Sequence, residues 1–259
     1  MTKLFHVSDI HFGAEDPAAI AWFAERVAAE RPDAVIMTGD LTMRATRSEF
    51  EASGAWLKSL GVPVTVEIGN HDVPYYSDPL RRLFRPYARY AAVERMIEQP
   101  LAVPGVTVVP LKTVARLQWR VDQSKGRVSA SSLEAALALI AAAPTGDVIL
   151  VAAHHPLIDL GLVEATRTHG GVAAMERLAA AGADAVLTGH VHYPFDTPVE
   201  RAGRTVRMIG AGTLSRRLRH SPPAFNEIRV DGRRFETIAR TMSPEPRQIL
   251  GEGRADPAT

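Results

Sequence analysis

The sequence predicts a single α/β domain in which two mixed sheets pack face to face, with helices on the outside. In the first half of the chain, short apolar strand patterns alternate with helix patterns, and units of this length imply parallel strands joined by right-handed crossovers. From Thr197 onward, β-rich runs are separated by turns at Gly203-Arg204 and Asp231-Gly232, which is typical of antiparallel hairpins. We place the domain at residues 1–242 and expect a flexible tail, rich in Pro, Gly and charge, at 243–259.

The elements of the first half are bounded by residues that begin and end helices. Asp16-Pro17 offers a capping oxygen followed by a proline in the first turn, and Gly61 follows the second helix pattern. We therefore predict strands at 3–8, 34–38 and 62–68, and helices at 16–31 and 49–60.

The second half begins with an Arg- and Tyr-rich helical stretch at 78–98, which we expect to leave the sheet. Beyond it, apolar runs and helical periodicity alternate again. We predict two strands within 106–121, helices at 131–142 and 172–181, and buried strands at 148–153 and 185–187.

The composition excludes several classes of protein. With 46% apolar and 23% charged residues and a net charge of +1, the chain is typical of a globular protein and too balanced for nucleic-acid binding by bulk charge. The absence of cysteine excludes disulfides and thiolate metal sites. The N-terminal residues lack a secretory pattern, and no apolar run approaches the roughly 20 residues of a membrane helix. We expect a soluble, cytoplasmic protein.

Five short polar segments each follow a predicted strand. Because ligands bind beyond the carboxyl ends of strands in α/β sheets, we expect these segments to meet at one edge. Their imidazole, carboxylate and carboxamide groups suit Mn, Fe, Co, Ni or Zn and argue against Ca, and glycines before three of the segments' donors let the chain turn sharply. The segments are Asp9-Ile10-His11, Gly39-Asp40, Gly69-Asn70-His71-Asp72, His154-His155-Pro156 and Gly189-His190-Val191-His192.

In these segments and their order, the sequence resembles the calcineurin-like metallophosphoesterase superfamily from about Leu4 to Val230. The resemblance implies a four-layer α-β-β-α sandwich with two mixed sheets and a metal site at the carboxyl ends of the strands. It also implies two divalent or mixed-valence transition-metal ions. It assigns Asp9, His11 and His192 to the first ion, Asn70, His154 and His190 to the second, and Asp40 to a bridging position.

The expected chemistry is attack on a phosphate by a hydroxide that bridges the two ions. In dinuclear centres of this kind the two ions lie about 3.5–4 Å apart. The resemblance places His71 as a catalytic, substrate-contacting donor to the leaving oxygen. Asp72 is a second catalytic candidate that could hold the ring of His71, with a helix cap as the alternative. Arg216, in the basic loop 215–219, is a candidate substrate contact, with a solvated loop as the alternative. We expect His155 to support the ligands or pack beside them.

Residues 5–13 and 154–157 resemble the class III cyclic-nucleotide phosphodiesterases within the superfamily. We therefore expect a small phosphodiester substrate, including 3′,5′- or 2′,3′-cyclic nucleotides. The alternatives are a phosphomonoesterase or glycerophosphodiester hydrolase and, in another class, a non-catalytic metal-binding scaffold. Neither nucleic acid nor a membrane is expected as a partner, and homo-oligomer formation stays open.

Two segments that leave the sheet after polar segments, 78–98 and 158–171, are candidates for the rim of the pocket. The first carries side chains that could contact a substrate or a second subunit, and a solvated amphipathic helix is the alternative. These side chains belong to Arg81, Arg82, Tyr87 and Tyr90.

Overall fold

A computed structural model of the chain describes residues 1–74, 79–97, 101, 103–115, 125–161 and 168–242. The tail predicted at 243–259 lies outside the described residues. Two strands are predicted within 106–121, and the part of the second that falls at 116–121 also lies outside them. Among the described helices, none is both long and apolar enough to cross a membrane.

The described residues form ten strands in two five-stranded sheets. The strands are β1 (Thr2–Val7), β2 (Ala34–Met37), β3 (Val64–Val66), β4 (Val106–Pro110), β5 (Val148–Ala152), β6 (Ala185–Thr188), β7 (Phe195–Arg201), β8 (Arg204–Gly210), β9 (Ala224–Asp231) and β10 (Arg234–Thr241). The first sheet has the order β10-β9-β1-β2-β3 and the second the order β4-β5-β6-β8-β7. Each sheet combines parallel neighbours from the strand–helix units with an antiparallel hairpin, as predicted.

Six α-helices flank the sheets in the described part of the chain. They are α1 (Pro17–Glu30), α2 (Arg47–Ser59), α3 (Pro79–Phe84), α4 (Ala88–Ile97), α5 (Ala130–Ala142) and α6 (Gly171–Ala181). Asp16 caps α1 through bonds from the amides of Ala18 and Ala19, as its sequence predicts. Helix α2 begins earlier than predicted because Thr46 and Glu49 form a capping box.

Three apolar clusters show how the layers pack. Along β1, Phe5 and Val7 face a cluster shared with α1 and α2, whereas Leu4 faces the opposite way. Leu4 lies in a cluster with Leu150 and Leu187 of the second sheet, so this cluster fills the space between the sheets. A third cluster joins the second sheet to α5 and α6. The four-layer sandwich with two mixed sheets is confirmed.

The parallel strands of both sheets end at the same edge of the sandwich. The main chain that follows β1 bonds to the main chain that follows β2, since Asp9 donates its amide to the carbonyl of Gly39 at 3.0 Å. The loops after β5 and β6 are joined in the same way by the amide of Gly189 and the carbonyl of His154 at 2.9 Å. The five polar segments therefore meet at one place.

Candidate metal centre

Five of the polar residues at this edge adopt a left-handed backbone that non-glycine residues rarely use. Their φ angles are 54° at Asp9, 43° at His11, 56° at Asp40, 72° at His190 and 64° at His192. Each such residue costs about 1–3 kcal/mol, and this cost persists only where the surrounding structure enforces it. The sharp turns expected after the strands are therefore made largely by the donor residues themselves.

The glycines beside these residues have two different functions. Gly39 has a φ of +95° and turns the chain, as its sequence predicts. Gly69 and Gly189 instead leave room for a carboxylate. A Cβ at Gly69 would lie 2.0 Å from Asp40 Oδ1, and one at Gly189 would lie 2.5 Å from Asp9 Oδ2. Both glycines permit a close approach that any side chain would prevent.

Three donor atoms converge in a first cluster made by Asp9, His11 and His192. Oδ1 of Asp9 lies 3.0 Å from Nε2 of His192 and 3.6 Å from Nε2 of His11. The two Nε2 atoms are 3.3 Å apart. All three side chains are buried, and each offers one atom to the same point.

The ring orientations in the first cluster make these atoms acceptors. His192 Nδ1 lies 2.7 Å from the carbonyl oxygen of Arg217, and His11 Nδ1 lies 3.3 Å from that of Thr42. With the ring protons on Nδ1, both Nε2 atoms present lone pairs. Asp9 Oδ1 is buried and forms no hydrogen bond within the described part of the chain. In the neutral rings these lone pairs face one another and repel unless a proton or a metal ion lies between them, so the cluster fits a metal ion that displaces protons.

A second cluster contains Asn70, His154 and His190. Oδ1 of Asn70 lies 3.1 Å from His154 Nε2 and 3.1 Å from His190 Nδ1. His154 Nδ1 faces the carbonyl oxygen of Thr38 at 2.8 Å, which again leaves Nε2 as the acceptor. Nitrogen and oxygen donors of this kind suit a transition-metal ion.

Asp40 lies between the two clusters. Its Oδ2 is 3.7 Å from His11 Nε2 on one side and 3.4 Å from His154 Nε2 on the other. Its Oδ1 accepts the backbone N–H of His71 at 2.8 Å, which fixes the carboxylate plane. A single carboxylate in this position could serve both ions.

The electrostatics of the centre also favour cations. Burial alone would raise the pKa of both carboxyls, but the imidazoles, chiefly His192 for Asp9 and His154 for Asp40, hold both pKa values well below the usual range. Burial lowers the pKa of His154, yet the charge of Asp40 outweighs it and raises that pKa to about 9. At His192, burial also lowers the pKa of the ring, but the negative charge of Asp9 outweighs this effect and raises the pKa. Burial and the nearby His154 lower the pKa of His190 to about 4.

His71 lies at the edge of the centre, and its ring is held from both sides. Nδ1 is 2.8 Å from the carbonyl oxygen of Met43, and Nε2 is 2.9 Å from Nη1 of Arg217. The ring meets that of His11 edge-on at 4.8 Å between centroids. Burial, only partly offset by the charge of Asp40, lowers the pKa of His71.

Asp72 does not hold the ring of His71, and that prediction is wrong. Its Oδ2 accepts the amides of Leu41 at 3.1 Å and Gly69 at 2.9 Å, while Oδ1 accepts the amide and hydroxyl of Thr42, both at 2.9 Å. The carboxyl group therefore caps its own 3-10 turn and ties it to the loop after β2. Burial and the charge of Asp40 raise the pKa of Asp72 to about 7.

Within the basic loop 215–219, the structure brings Arg217 to the centre, whereas the sequence led us to name the neighbouring Arg216. The side chain of Arg216 is exposed, whereas that of Arg217 is half-buried against His71. In a loop without periodicity, only the fold decides which of two adjacent arginines faces the centre. The substrate contact predicted for Arg216 stays a prediction.

His155 packs beside the second cluster. Its Nδ1 is 2.9 Å from the hydroxyl oxygen of Thr113, and its ring lies 4.6 Å from the ring of His190. One of its nitrogens lies close enough to those of His154 and His190 to complete a metal-sized group. Its supporting role stays a prediction.

The helical stretch after β3 packs on the domain through its two tyrosines, and its place at the rim of the pocket stays a prediction. Tyr90 is buried, and its hydroxyl donates to the carbonyl of Val66 at 2.7 Å. The hydroxyl of Tyr87 donates to the carbonyl of Val114 at 3.2 Å. Arg81 is exposed, and the side chain of Arg82 lies outside those described, as do residues 162–167 of the second predicted rim segment.

Metal binding should release protons and strengthen as pH rises. The pKa of His154, raised to about 9, means that an ion must displace a proton from that ring at neutral pH, and the raised pKa of His192 acts in the same direction. We expect the apparent affinity for Zn²⁺ to increase from pH 6 towards pH 9 and then level off. Calorimetric titrations in two buffers of different ionisation enthalpy would count the protons released. An affinity that is constant between pH 6 and 8 would contradict this expectation.

Gly69→Ala should reduce metal binding by displacing Asp40. The φ of −98° at position 69 suits alanine, but the new Cβ would lie 2.0 Å from Oδ1 and 2.2 Å from the main-chain nitrogen of Asp40, so the loop that carries this carboxylate must shift. Gly203→Ala is the matched control, because φ there is +70° and no atom lies within 4 Å of the added carbon. The control should lose about 1 kcal/mol of unfolding free energy but keep its ions. Elemental analysis would measure the metal content of each variant, and thermal unfolding would measure its stability. Equal metal content in Gly69→Ala and Gly203→Ala would refute the predicted displacement of Asp40.

The comparisons with known proteins agree with this geometry. A family model described as calcineurin-like phosphoesterase matches residues 2–194, whereas no curated protein matches the sequence. Among solved structures, a dimetal phosphatase from Danio rerio is 14% identical with a TM-score of 0.61, covering 93% of this chain and 99% of that chain.

Two other solved structures are similar at lower identity. Purple acid phosphatase PPD1 from yellow lupin, Lupinus luteus, is 12% identical with a TM-score of 0.70, covering 94% of this chain and 52% of that chain. GAP50, the anchor in the inner membrane complex of Plasmodium, is 11% identical with a TM-score of 0.60, covering 96% of this chain and 88% of that chain. At these identities, the structures show a shared fold.

The matched range contains all seven donors of the two clusters and most of the chain. The superfamily predicted from the sequence is confirmed. The chain belongs to the calcineurin-like phosphoesterase family, which implies phosphoester hydrolysis at a dinuclear centre of divalent metal ions.

Proposed function

We propose that the protein is a dinuclear-metal phosphodiesterase whose substrates include cyclic nucleotides, either 3′,5′ or 2′,3′. The observation that supports a diester is that the five strand-end segments supply nitrogen and oxygen donors but no lysine or arginine. A diester carries one negative charge, which two divalent ions can balance. A monoester dianion has a further charged oxygen and requires additional cationic groups to hold it.

The donor atoms divide naturally between two ions. When bound, the ions would supply an activated water and hold the phosphate oxygens. The chain's contribution is to direct the donors inward, through carbonyl groups behind the imidazoles and amides behind the carboxylates. We assign Asp9, His11 and His192 to one ion, Asn70, His154 and His190 to the other, and Asp40 to both.

His71 is the residue that we assign to the leaving oxygen. Its backbone N–H donates to Asp40, and its two ring nitrogens contact the carbonyl of Met43 and the guanidinium of Arg217, so we assign no ion to it. Its Nδ1 is held by Met43, so Nε2 is the atom that reaches the reacting phosphate. The ring must carry a hydrogen on both nitrogens for this role, and the imidazolium would then donate a hydrogen bond or proton from Nε2 to the departing alkoxide.

A phosphomonoesterase is the second candidate, and one specific observation favours it. Loop 215–219 brings Arg217 against His71, which provides a cation that the five segments lack. Two structurally similar proteins are phosphatases by name. A glycerophosphodiester hydrolase would fit the same centre as the proposed enzyme.

A non-catalytic scaffold is the candidate from another class, and GAP50 is described as an anchor. The geometry argues against that role here. Five donor residues have strained backbones, and their lone pairs face one another. A scaffold gains nothing from this arrangement, and it has no need of His71 beside the donors.

A substrate panel tests the proposed function. With Mn²⁺ added, kcat/KM would be measured for bis(nitrophenyl) phosphate, nitrophenyl phosphate, and 3′,5′- and 2′,3′-cyclic AMP. We expect the diesters to be preferred. A monoester preference of more than about tenfold, roughly 1.4 kcal/mol in transition-state binding, would overturn the diesterase proposal. Turnover of the chromogenic diester alone would overturn only the cyclic-nucleotide part.

His71→Ala should keep both ions and slow turnover. The backbone N–H that binds Asp40 remains in the variant, so the metal centre is preserved. Positioned acid catalysis contributes roughly 10²–10⁴-fold, and the loss should be largest for cyclic AMP, whose alkoxide leaves poorly. Nitrophenyl esters need little help and should lose less. Equal losses on both substrates would show that His71 acts in another way.

A further inference from the structure

The side chain of Arg217 is half-buried beside the metal centre and has no carboxylate partner in the part of the chain that the structure describes. Nη1 donates to His71 Nε2 at 2.9 Å and lies 3.4 Å from the sulfur of Met43. An imidazole nitrogen and a thioether are poor matches for a guanidinium that carries five donors. A partly desolvated cation is ordinarily matched by an anion, so a ligand is expected to bring one.

The main chain around Arg217 is fixed relative to the first cluster of donors. Its amide donates to Ser215 Oγ at 3.2 Å, Ser215 Oγ lies 2.7 Å from Thr213 Oγ1, and Thr213 donates to the carbonyl of Asp9 at 2.6 Å. Its carbonyl oxygen lies 2.7 Å from His192 Nδ1. The guanidinium therefore extends from a backbone that is anchored to two donor residues.

We infer that Arg217 binds the phosphoryl group of the substrate, an inference that rests on phosphoester hydrolysis in the proposed function and not on its preference for a diester. Its guanidinium already contacts Nε2 of His71, the atom assigned to the leaving oxygen. A phosphate whose leaving oxygen reaches Nε2 brings its non-bridging oxygens within reach of the same guanidinium. The planar fork of arginine matches two such oxygens, so the anion replaces His71 as its partner and frees Nε2.

The test compares Arg217→Gln and Arg217→Lys with Arg234→Gln. The control removes the same charge from Arg234, an exposed residue at the start of β10. Arg234 pairs with Asp231, and the preceding residue, Val230, pairs with Thr2. This places Arg234 near the first residues of β1, at the end of the strand away from the metal centre. Metal content, the Kd of inorganic phosphate for the Mn²⁺-loaded protein, and kcat/KM for bis(nitrophenyl) phosphate would be measured for each protein.

Arg217→Gln should weaken phosphate binding and lower kcat/KM by roughly 10- to 100-fold each, the scale of one charge-assisted hydrogen bond. It should keep both ions, because the carbonyl that holds His192 belongs to the main chain. Arg217→Lys should be intermediate, since it keeps the charge without the fork. The control should match the wild type.

Unchanged phosphate affinity in Arg217→Gln, or loss of an ion from it, would overturn the inference. If Arg217→Gln does not fold, Arg217→Lys becomes the deciding variant. An Arg217→Lys protein that binds phosphate as tightly as the wild type would then overturn the proposed contact between the guanidinium and the phosphoryl group. A wild-type protein that cleaves no diester, but whose phosphate affinity depends on Arg217, would refute the proposed diesterase activity and leave the inference standing.

Discussion

The centre depends on one repeated interaction, which is the bond between an imidazole Nδ1 and a main-chain carbonyl. This bond selects the ring tautomer and directs each Nε2 toward the centre. Because the carbonyls belong to loops that follow strands of the sandwich, backbone packing sets the orientation of these four rings. The pairs are His11 with Thr42, His71 with Met43, His154 with Thr38 and His192 with Arg217.

This arrangement is costly for the isolated chain. Left-handed backbones at donor residues cost about 1–3 kcal/mol each, and facing lone pairs add repulsion. The buried carboxyl of Asp72 offsets part of this cost, because it accepts four hydrogen bonds that join the loop after β2 to the turn after β3. Bound ions would add stability by mass action, since they bind the folded state.

The sequence was sufficient to predict the sheets and the convergence of the five segments, because strand–helix alternation determines which loops share an edge. It could not separate the two uses of Asp72, since an aspartate after a turn can cap the turn or orient a ring, and only tertiary contacts decide. It also could not identify Arg217 over Arg216, because neighbouring loop residues have no fixed direction. Aspartate tolerates the left-handed backbone found at Asp9 and Asp40, but it adopts other conformations more often, so residue type alone could not predict it.

The donors come from both sheets. Loops after β1, β2 and β3 carry Asp9, His11, Asp40 and Asn70, whereas loops after β5 and β6 carry His154, His190 and His192. Each ion, as assigned, takes donors from both sheets and so acts as a cross-link at one end of the sandwich. Apolar packing between the sheets has no such directional tie. Without the ions, this end should be the first region of the interface between the sheets to open. The same donor atoms therefore serve catalysis and hold the two sheets together as one unfolding unit.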